Sequence, residues 1–243
     1  NAAYITKKQG EFTIDDYYAI PEDTRVELID GVIYYMATPR IIHQDIVSEI
    51  GFVLKSYIKK NKGKCRVYDL PVDVQLDCDN RTMVEPDIQI VCDRNKLTER
   101  VVFGAPDFVV EVLSPSTRKK DMTLKLHKYV NAGVREYWIV DPDKEMIIVY
   151  EIKEEEQDII AKFYTFENQV PVGIFNGECI VDFKEIKEYL EDNNVEELAD
   201  IVEVIYGILN SMDVSIEEFE KVRTEKVIKR GAFKKKIFLE EAE

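Results

Sequence analysis

The sequence lacks an apolar run of membrane length and has few of the residues that usually bind zinc. Its 243 residues include two histidines and four cysteines, and the cysteines are scattered without a CxxC pair. A zinc site is therefore not expected, and isolated reduced thiols of a cytosolic protein are the favoured state of the cysteines. No run approaches the roughly 20 apolar residues of a membrane span, and the first residues show no signal segment. We expect a cytoplasmic protein without a membrane partner.

Positive charge is also scarce in this chain. Lys and Arg number 33 against 48 Asp and Glu, which gives a formal net charge of −15. Because phosphate binding needs clustered Lys and Arg, this balance argues against a broad electrostatic grip on nucleic acid, although it does not exclude a local basic groove. The 45% of hydrophobic residues suffice for one good-sized core, or for a core plus an appendage.

Strand and helix patterns alternate along residues 11–190. Asp30-Gly31 lies between two β-prone runs in 25–37 and predicts a hairpin. Apolar residues at helical spacing predict a helix over 41–62 that ends with Gly63 as its C′ residue. Further strands are predicted at 65–69, 72–76, 85–91, 106–114, 135–141, 146–152, 159–166 and 178–183, with a helix at 118–132. Strand, helix and strand over 107–141 suggest a βαβ-like core in a mixed sheet, so the predicted fold class is α/β (α+β mixed sheet).

The composition changes after about residue 190. The remaining residues almost lack Gly and Pro, are highly charged, and carry apolar residues at helical spacing from Leu198 to Leu209. We therefore predict one domain over residues 1–190 and a charged helical C-terminal extension over residues 191–243. The extension is interpreted as an appendage and not as a second catalytic domain.

Two acidic residues lie inside short apolar strand runs. Glu111 stands in "VVEVLSPST" (109–117) and shares a strand face with Asp107, while Asp87 stands in "EPDIQIV" (85–91). Burying an ionised carboxylate costs many kcal/mol unless it is paired, hydrogen-bonded or bound to metal. If the two strands are neighbours, Asp87 and Glu111 meet, and a hard divalent ion, Mg²⁺ above all, would hold them together. In the alternative, both acids face solvent on a half-exposed sheet.

The helix that follows Glu111 carries Asp121, Lys125 and Tyr129 at i, i+4 and i+8, and so on one face. An ordinary surface Asp–Lys pair explains the first two residues. In the functional alternative Lys125 leans toward the acids, where its ammonium would stabilise a developing phosphorane charge or help to deprotonate water. The Tyr129 hydroxyl would then hold its orientation.

Other candidates have simpler explanations when each is taken alone. Glu27 in "VELIDG" is an acid between apolar strand residues and is expected to be solvated. His43, at the start of the long helix, is more often a capping or packing residue than a catalytic one. Arg118, Lys119 and Lys120 begin the later helix, and they either form a solvated helix end or contact a nucleic-acid backbone.

Five segments together resemble the Uma-type "putative restriction endonuclease" family of the PD-(D/E)XK nuclease superfamily. They are "RVELIDGVIYYM", "PRIIHQDIVSEI", "VEPDIQIV", "GAPDFVVEVLSPSTRKKDMTLKLHKYVNAGVREYWIVDP" and "VPVGIFNGECI". The resemblance covers about residues 11–190. The combined pattern of PD, EVLSPST, D-x3-K-x3-Y and EYWIVDP is highly specific, whereas any one piece alone would be weak.

The resemblance implies a restriction-endonuclease-like fold, with a central mixed β-sheet flanked by helices, and Mg²⁺-dependent phosphodiester hydrolysis, with Mn²⁺ as an alternative ion. By position, Asp87 and Glu111 would be metal ligands, and Glu27 would match the acid contributed by an earlier element. Leu113 stands where the superfamily's E-x-K motif has its lysine. Lys125 resembles a migrated replacement, because its long stem can bring the ammonium to the same point.

The leading hypothesis is a Mg²⁺-dependent DNA endonuclease. Its catalytic residues would be Asp87, Glu111, Lys125 and Glu27, supported by Tyr129, Asp121 and His43, with Arg118, Lys119 and Lys120 on the DNA backbone. The alternative is a catalytically inactive nuclease-fold protein that acts as a nucleic-acid-binding, regulatory or assembly partner; the acidic charge and the missing E-x-K lysine favour it mildly. A homodimer is also expected, since nucleases that cut both strands often pair.

Overall fold

A computed structural model of the chain describes residues 7–21, 23–69, 71–115, 117–153, 158–191, 206, 209 and 214–230. The chain divides into two compact units, residues 1–190 and 191–243. The assignment of the first unit as catalytic and of the second as an extension stays a prediction.

The first unit alternates strands with helices. In chain order its elements are α1 (Ile14–Tyr18), β1 (Val26–Ile29), β2 (Val32–Tyr35), α2 (Ile41–Lys60), β3 (Arg66–Tyr68), β4 (Val74–Gln75), β5 (Ile88–Val91), β6 (Val102–Phe103), β7 (Phe108–Val112), a π-helical segment (Lys120–Lys125), α3 (Leu126–Ala132), β8 (Glu136–Asp141), β9 (Met146–Lys153), β10 (Asp158–Thr165), β11 (Gln169–Pro171), β12 (Ile180–Asp182) and α4 (Phe183–Glu191).

The central sheet has six strands in the order β10-β9-β8-β7-β5-β3. β7 and β8 are parallel and are joined by the π-helical segment and α3, while the other neighbouring pairs are antiparallel. The sequence-based predictions of a mixed α/β sheet flanked by helices, and of a strand–helix–strand unit over 107–141, are therefore confirmed. β1 and β2 form a separate hairpin around Asp30-Gly31, as predicted.

Every residue of β7 is buried, because helices cover both faces of the sheet at this strand. On one face Phe108, Val110 and Val112 belong to the core that includes Ile46, Ile50 and Leu54 of α2. On the other face Val109 and Leu113 pack in the core that includes Tyr129 of α3. Each such apolar side chain stabilises the fold by about 1.5–3 kcal/mol when fully buried. Glu111, which alternates with Val110 and Val112, therefore points toward the π-helical segment and α3.

The end of α2 differs in detail from the prediction. The helix ends at Lys60, and Lys62, with φ 51°, takes the left-handed conformation that the sequence assigned to Gly63. The Gly63 amide donates to the Ile58 carbonyl at 2.8 Å and so closes the last turn. The second predicted helix does end at Gly133, whose φ of 88° is left-handed, but its first part is the π-helical segment.

Two of the four cysteines are joined. Cys65 and Cys92 form a disulfide, whereas Cys78 and Cys179 are free. The prediction of four isolated reduced thiols is thus wrong for Cys65 and Cys92. Antiparallel pairing of β3 with β5 sets Arg66 opposite Val91, and so places the two cysteines opposite each other just beyond the paired residues. This pairing of strands distant in sequence has no trace in the cysteine spacing.

No helix among the described residues is long and apolar enough to cross a membrane. In the second unit, α5 spans Ile216–Arg230. The apolar residues expected at helical spacing from Leu198 to Ile208 lie outside the described residues.

Candidate active site

Strand pairing brings Asp87 and Glu111 to the same edge of the sheet. β5 and β7 are antiparallel neighbours with Ile88 opposite Val110, which sets Asp87 level with Glu111. The backbone amide of Val112 donates to Asp87 Oδ2 at 2.8 Å and fixes that carboxylate beside the end of β7. Asp107, which was expected on the same strand face as Glu111, lies at the other end of β7 and pairs with Arg135 at 3.1 Å.

Glu27 of β1 is fully buried, whereas a solvated side chain was expected from the sequence. Its Oε1 accepts a hydrogen bond from the Glu85 amide at 3.2 Å and lies 2.7 Å from Lys125 Nζ. Its Oε2 accepts a hydrogen bond from Lys120 Nζ. Two ammonium groups therefore compensate one carboxylate that has no contact with solvent.

Lys125 connects Glu27 to Glu111. Its Nζ donates to Glu111 Oε1 at 2.7 Å, and the Tyr129 hydroxyl donates to the same oxygen at 2.7 Å. Lys125 and Tyr129 are 2% and 0% exposed, so neither side chain is the surface residue of the simpler alternative. The π-helical segment returns Lys125 to the strand that carries Glu111. In the turn that precedes this segment, the Thr117 amide donates to Ser114 Oγ at 3.2 Å.

The π-helical segment explains why Lys120 joins the cluster. In a regular α-helix, residues five apart lie on different sides, whereas π-helical hydrogen bonds join residues five apart. Lys120 and Lys125 therefore both reach Glu27. From the sequence, Lys120 was expected either at a solvated helix end or on the DNA backbone. Its contact with Glu27 was not predicted, since a π-helix leaves no regular pattern in the apolar spacing.

Asp121 lies within the same cluster and carries an unsatisfied oxygen. The residue is 2% exposed, and its Oδ1 has no hydrogen-bond partner within the described part of the chain. The nearest cation is Lys125, with Nζ 3.8 Å from that oxygen. Burial raises the pKa of Asp121, although Lys125 opposes the rise. A buried carboxylate oxygen without a partner is costly unless a proton, water or cation satisfies it.

His43 contacts the other acid. At the start of α2, its Nε2 lies 3.1 Å from Asp87 Oδ2, and the residue is buried. It is therefore more than a cap of the helix, because it orients a carboxylate of the cluster.

The three basic residues expected at the start of the helix lie in three different environments. Arg118 is bidentate on Asp141, with 2.7 Å between Nη2 and Oδ1, and lies 3.7 Å from Asp143. Lys120 turns inward to Glu27, and Lys119 is exposed. Of the triplet, Lys119 alone has the exposed side chain that was expected for a contact with nucleic acid.

The charged groups of the cluster differ in the direction in which their pKa values are shifted. Burial by itself would lower the pKa of Lys125, but Glu111, Glu27 and Asp121 raise it well above its usual range. Burial raises the pKa of Glu111, with Lys125 opposing the rise. Burial would also raise the pKa of Glu27, but Lys125 and Lys120 lower it. Both shifts favour the charged forms, an ammonium at Lys125 and a carboxylate at Glu27.

These residues line one cavity of about 240 Å³. Its wall includes Glu27, His43, Asp87, Glu111, Lys120, Asp121 and Lys125, together with Arg25 and Arg40, which were not predicted as site residues. Arg40 pairs with Asp143 at 2.9 Å, and Arg25 pairs with Glu85. The structure thus brings together all the acids and the lysine that were predicted from the sequence, while their chemical roles stay predictions.

The donors of this cavity suit a hard divalent cation. No group of three or more His, Cys, Asp or Glu side chains within the described residues forms a ready metal site. Mg²⁺, however, is usually bound by one or two carboxylates together with waters and substrate phosphates. Asp87 and Glu111 supply such a pair at one edge of the sheet, and the unsatisfied Asp121 Oδ1 provides a further oxygen in the same wall.

Comparison with known proteins supports the resemblance seen in the sequence. Residues 14–174 match the model of the Uma2 family, described as "Putative restriction endonuclease". A solved structure of "a putative nuclease belonging to DUF820" from Anabaena variabilis is 24% identical, with a TM-score of 0.61; the match covers 74% of this chain and 99% of that one. No curated protein matches the sequence. Since the family match spans well over half of the chain, the protein belongs to the Uma2 family, and family and fold together indicate a restriction-endonuclease-like nuclease.

Proposed function

We propose that the protein is a Mg²⁺-dependent endonuclease that hydrolyses DNA phosphodiester bonds, with Mn²⁺ as an alternative ion. The observation that carries the proposal is the cavity in which the Asp87 and Glu111 carboxylates lie beside the Lys125 ammonium. Acids and a lysine at this point are what the family resemblance implies for phosphodiester hydrolysis.

Asp87 and Glu111 would hold the ion, and Asp121 Oδ1 would ligate either the ion or one of its waters. A bound Mg²⁺ supplies a water of lowered pKa and neutralises the scissile phosphate. His43 and the Val112 amide both contact Asp87 Oδ2, so they hold that carboxylate in one orientation. Such contacts behind a ligand are worth roughly 10–100-fold in metal affinity or activity.

Lys125 would offset negative charge that develops on the phosphate. Its raised pKa keeps it protonated, so it donates hydrogen bonds and does not accept a proton from water at neutral pH. Of the two roles considered for Lys125 from the sequence, this favours stabilisation of a developing phosphorane charge over help in deprotonating water. Tyr129 fixes Glu111 through its hydroxyl, because burial raises the pKa of the phenol well above its usual range and keeps the proton in place.

Glu27 would act as a positioning residue for both lysines. Its two oxygens bind Lys125 and Lys120 separately, so one buried carboxylate sets the place of two ammonium groups. It lies 0% exposed behind them, and its contribution would therefore be indirect.

DNA as substrate, a homodimer and a cytoplasmic location complete the proposal. The Cys65–Cys92 disulfide argues against the cytoplasmic location, since cytosolic thiols are kept reduced. Alkylation of free thiols during lysis, followed by mass spectrometry, decides whether Cys65 and Cys92 are bonded in the cell.

The alternative of an inactive nuclease fold has one observation in its favour. Lys125 bridges Glu27 and Glu111 by contacts of 2.7 Å, which is also how a purely structural buried ion pair would be built. Such a pair needs no metal and no substrate.

Plasmid nicking separates the two functions. We expect wild-type protein to nick supercoiled DNA in Mg²⁺ or Mn²⁺ and to stop in EDTA, and Asp87→Asn and Glu111→Gln to be inactive while folded. No nicking with either ion, or equal nicking by wild type and both variants, would contradict the endonuclease proposal and favour the inactive nuclease fold.

A further inference from the structure

Positive charge is concentrated in one short segment of this acidic chain. Residues 55–66, "KSYIKKNKGKCR", contain six Lys and Arg and no Asp or Glu, although the whole chain has a net charge of −15. We call the basic surface the side chains of Lys55, Lys59, Lys60, Lys62, Lys64 and Arg66, with Arg94 beside them. The rest of the protein is thus even more acidic than its total suggests.

The cations of the basic surface are exposed and mostly not neutralised. All seven are exposed, and Lys55 pairs with Asp69 at 2.5 Å. Within the described part of the chain, the other six form no ion pair with a carboxylate. The lysines of the active-site cavity show the opposite pattern, since Lys120 and Lys125 are both bonded to carboxylates.

Two segments are held together to form this surface. Arg94 Nε donates to the Lys64 carbonyl at 3.3 Å, and the Cys65–Cys92 disulfide ties the loop before β3 to the end of β5. Between them lies a cavity of about 440 Å³ lined by Lys55, Lys59, Arg66 and Arg94, by apolar side chains and by Gly63, without any acid. The two chain segments that carry the positive charges are therefore held side by side by covalent and backbone contacts.

The helix dipole accounts for only part of the basic surface. Lys59 and Lys60 lie in the last turn of α2, where cations are favoured by the negative end of the dipole. Lys62, Lys64 and Arg66 follow the helix, and Arg94 comes from another segment, so the dipole gives no reason for them. Mutual repulsion of such a cluster is relieved when it binds a polyanion.

The basic surface lies far from the active-site cavity along α2. His43, which contacts Asp87, and Lys59 are sixteen positions apart in one helix, or roughly 24 Å at 1.5 Å per residue. At about 3.4 Å per base pair, that separation corresponds to roughly seven base pairs of duplex. A substrate of a dozen or more base pairs is long enough to span it.

We propose that the basic surface binds the phosphodiester backbone of duplex DNA as a second contact, remote from the cavity where hydrolysis would occur. The choice of DNA among polyanions rests on the proposed function. The ligand chemistry is electrostatic and independent of base sequence, because lysine side chains contact phosphates and not base edges.

The test measures binding without cleavage. Fluorescence anisotropy of the full chain with a labelled 30-base-pair duplex in EDTA gives the affinity at several salt concentrations. We expect Lys59→Gln/Lys62→Gln/Lys64→Gln to make the negative slope of log affinity against log salt shallower by about 2 to 3, since each lost phosphate contact removes roughly 0.9 from its magnitude. The matched control, Lys144→Gln/Lys184→Gln/Lys221→Gln, changes three other exposed lysines and the net charge by the same amount.

A shallower salt dependence in the first triple variant, together with a wild-type salt dependence in the control, would support the proposal. Equal slopes in both variants, or no binding by wild type, would overturn it, and circular dichroism would show that the variants fold. Glu111→Gln separates this outcome from the proposed function, because it should bind DNA like wild type in EDTA and yet fail to nick in Mg²⁺. If the lysine triple variant binds and nicks normally, only the second contact is refuted.

Discussion

Glu111 and Glu136 lie on neighbouring parallel strands, β7 and β8, and are 4% and 1% exposed. Burial raises the pKa of both carboxyls. Glu111 stands inside the apolar run "VVEVL", and Glu136 begins the apolar run "EYWIV". By composition, burial and acidity the two residues are alike, and their difference lies in what surrounds the carboxylate.

Glu136 is saturated by neutral donors. Its Oε1 accepts from the Trp138 indole at 2.7 Å, and its Oε2 accepts from the Ile174 amide at 2.8 Å. These bonds tie the β11–β12 connection to the start of β8. Glu111 instead shares one oxygen between Lys125 and Tyr129, and it lies at the edge of the sheet that also carries Asp87.

The comparison shows that burial and a raised pKa do not identify a catalytic acid. The cavity beside Glu136, of about 400 Å³, is larger than the one at Glu111, and it also holds acids and cations: Glu136 and Glu151 line it with Arg135, Lys153 and Lys162, and Lys162 pairs with Glu151 at 2.5 Å. What distinguishes the Glu111 site is one ammonium, that of Lys125, within 2.7 Å of both Glu27 and Glu111, and an oxygen of Asp121 that has no hydrogen-bond partner among the described residues.

The largest expected effect is on activity at Glu111. Glu111→Gln keeps an oxygen that can accept from Lys125 and Tyr129, so we expect a folded protein, but it removes the negative charge that a metal ligand needs. Nicking should fall by at least about a hundredfold, because even contacts behind a ligand are worth 10–100-fold. The nicking rate with Mg²⁺ measures this, and a rate within a few-fold of wild type would refute the role of Glu111.

The next effect is on stability at Lys125. Lys125→Met leaves Glu27 and Glu111 buried without their shared ammonium, and breaking a buried ion pair in this way costs about 3–5 kcal/mol of unfolding free energy. Urea unfolding, followed by the fluorescence of the single tryptophan, Trp138, gives the value. A loss below about 1 kcal/mol would mean that the lysine does not compensate these acids.

Glu136→Gln should lower the stability and leave the nicking rate unchanged, whereas Glu111→Gln should lower the nicking rate and leave the protein folded. The new amide cannot accept from both the Trp138 indole and the Ile174 amide, so one buried donor loses its partner, at a cost of about 1–3 kcal/mol. We expect lower stability in urea and an unchanged nicking rate. If Glu136→Gln abolished nicking as Glu111→Gln does, the distinction between the two acids would fail.

The smallest effect is a change in pH dependence at Glu27. Lys125 and Lys120 overcome the effect of burial and lower the pKa of Glu27 from its ordinary value of 4.5. A carboxyl with a lowered pKa adds stability above its ordinary pKa, and this stability is lost as pH falls through the lowered value. Glu27→Gln should therefore be less stable than wild type at pH 7, and the difference should shrink below about pH 4.5. Urea midpoints across this range measure it; a gap that widens in acid would contradict the sign.

The sheet and the approach of Asp87 to Glu111 could be predicted from the sequence for definite reasons. Period-2 apolar runs and the turn at Ser114 predict strands and the helix that follows, and the mixed sheet then follows from their order. The neighbouring position of β5 and β7 was an assumption from the residues alone. The resemblance to a known family implied that position, because it makes Asp87 and Glu111 both metal ligands.

Other features could not be predicted because they depend on tertiary contacts. The disulfide requires β3 to pair with β5, and the approach of Lys120 to Glu27 requires a π-helical segment. Glu136, like Glu111, is an acid beside several apolar strand residues, so this pattern alone could not separate a structural carboxylate from a candidate ligand. Charge suggested either a solvated helix end or a DNA contact for Arg118, and neither alternative included its bidentate pair with Asp141.

The central claim is that the Glu111 cavity, and not the Glu136 cavity, binds a divalent ion. A crystal structure of the protein soaked in Mn²⁺, with anomalous scattering to locate the ion, tests this claim most directly. We predict a peak within coordination distance of Asp87 and Glu111 oxygens, and its loss in Glu111→Gln crystals. A structure with no peak at this cavity at millimolar Mn²⁺, or with the ion between Glu136 and Glu151, would contradict the account.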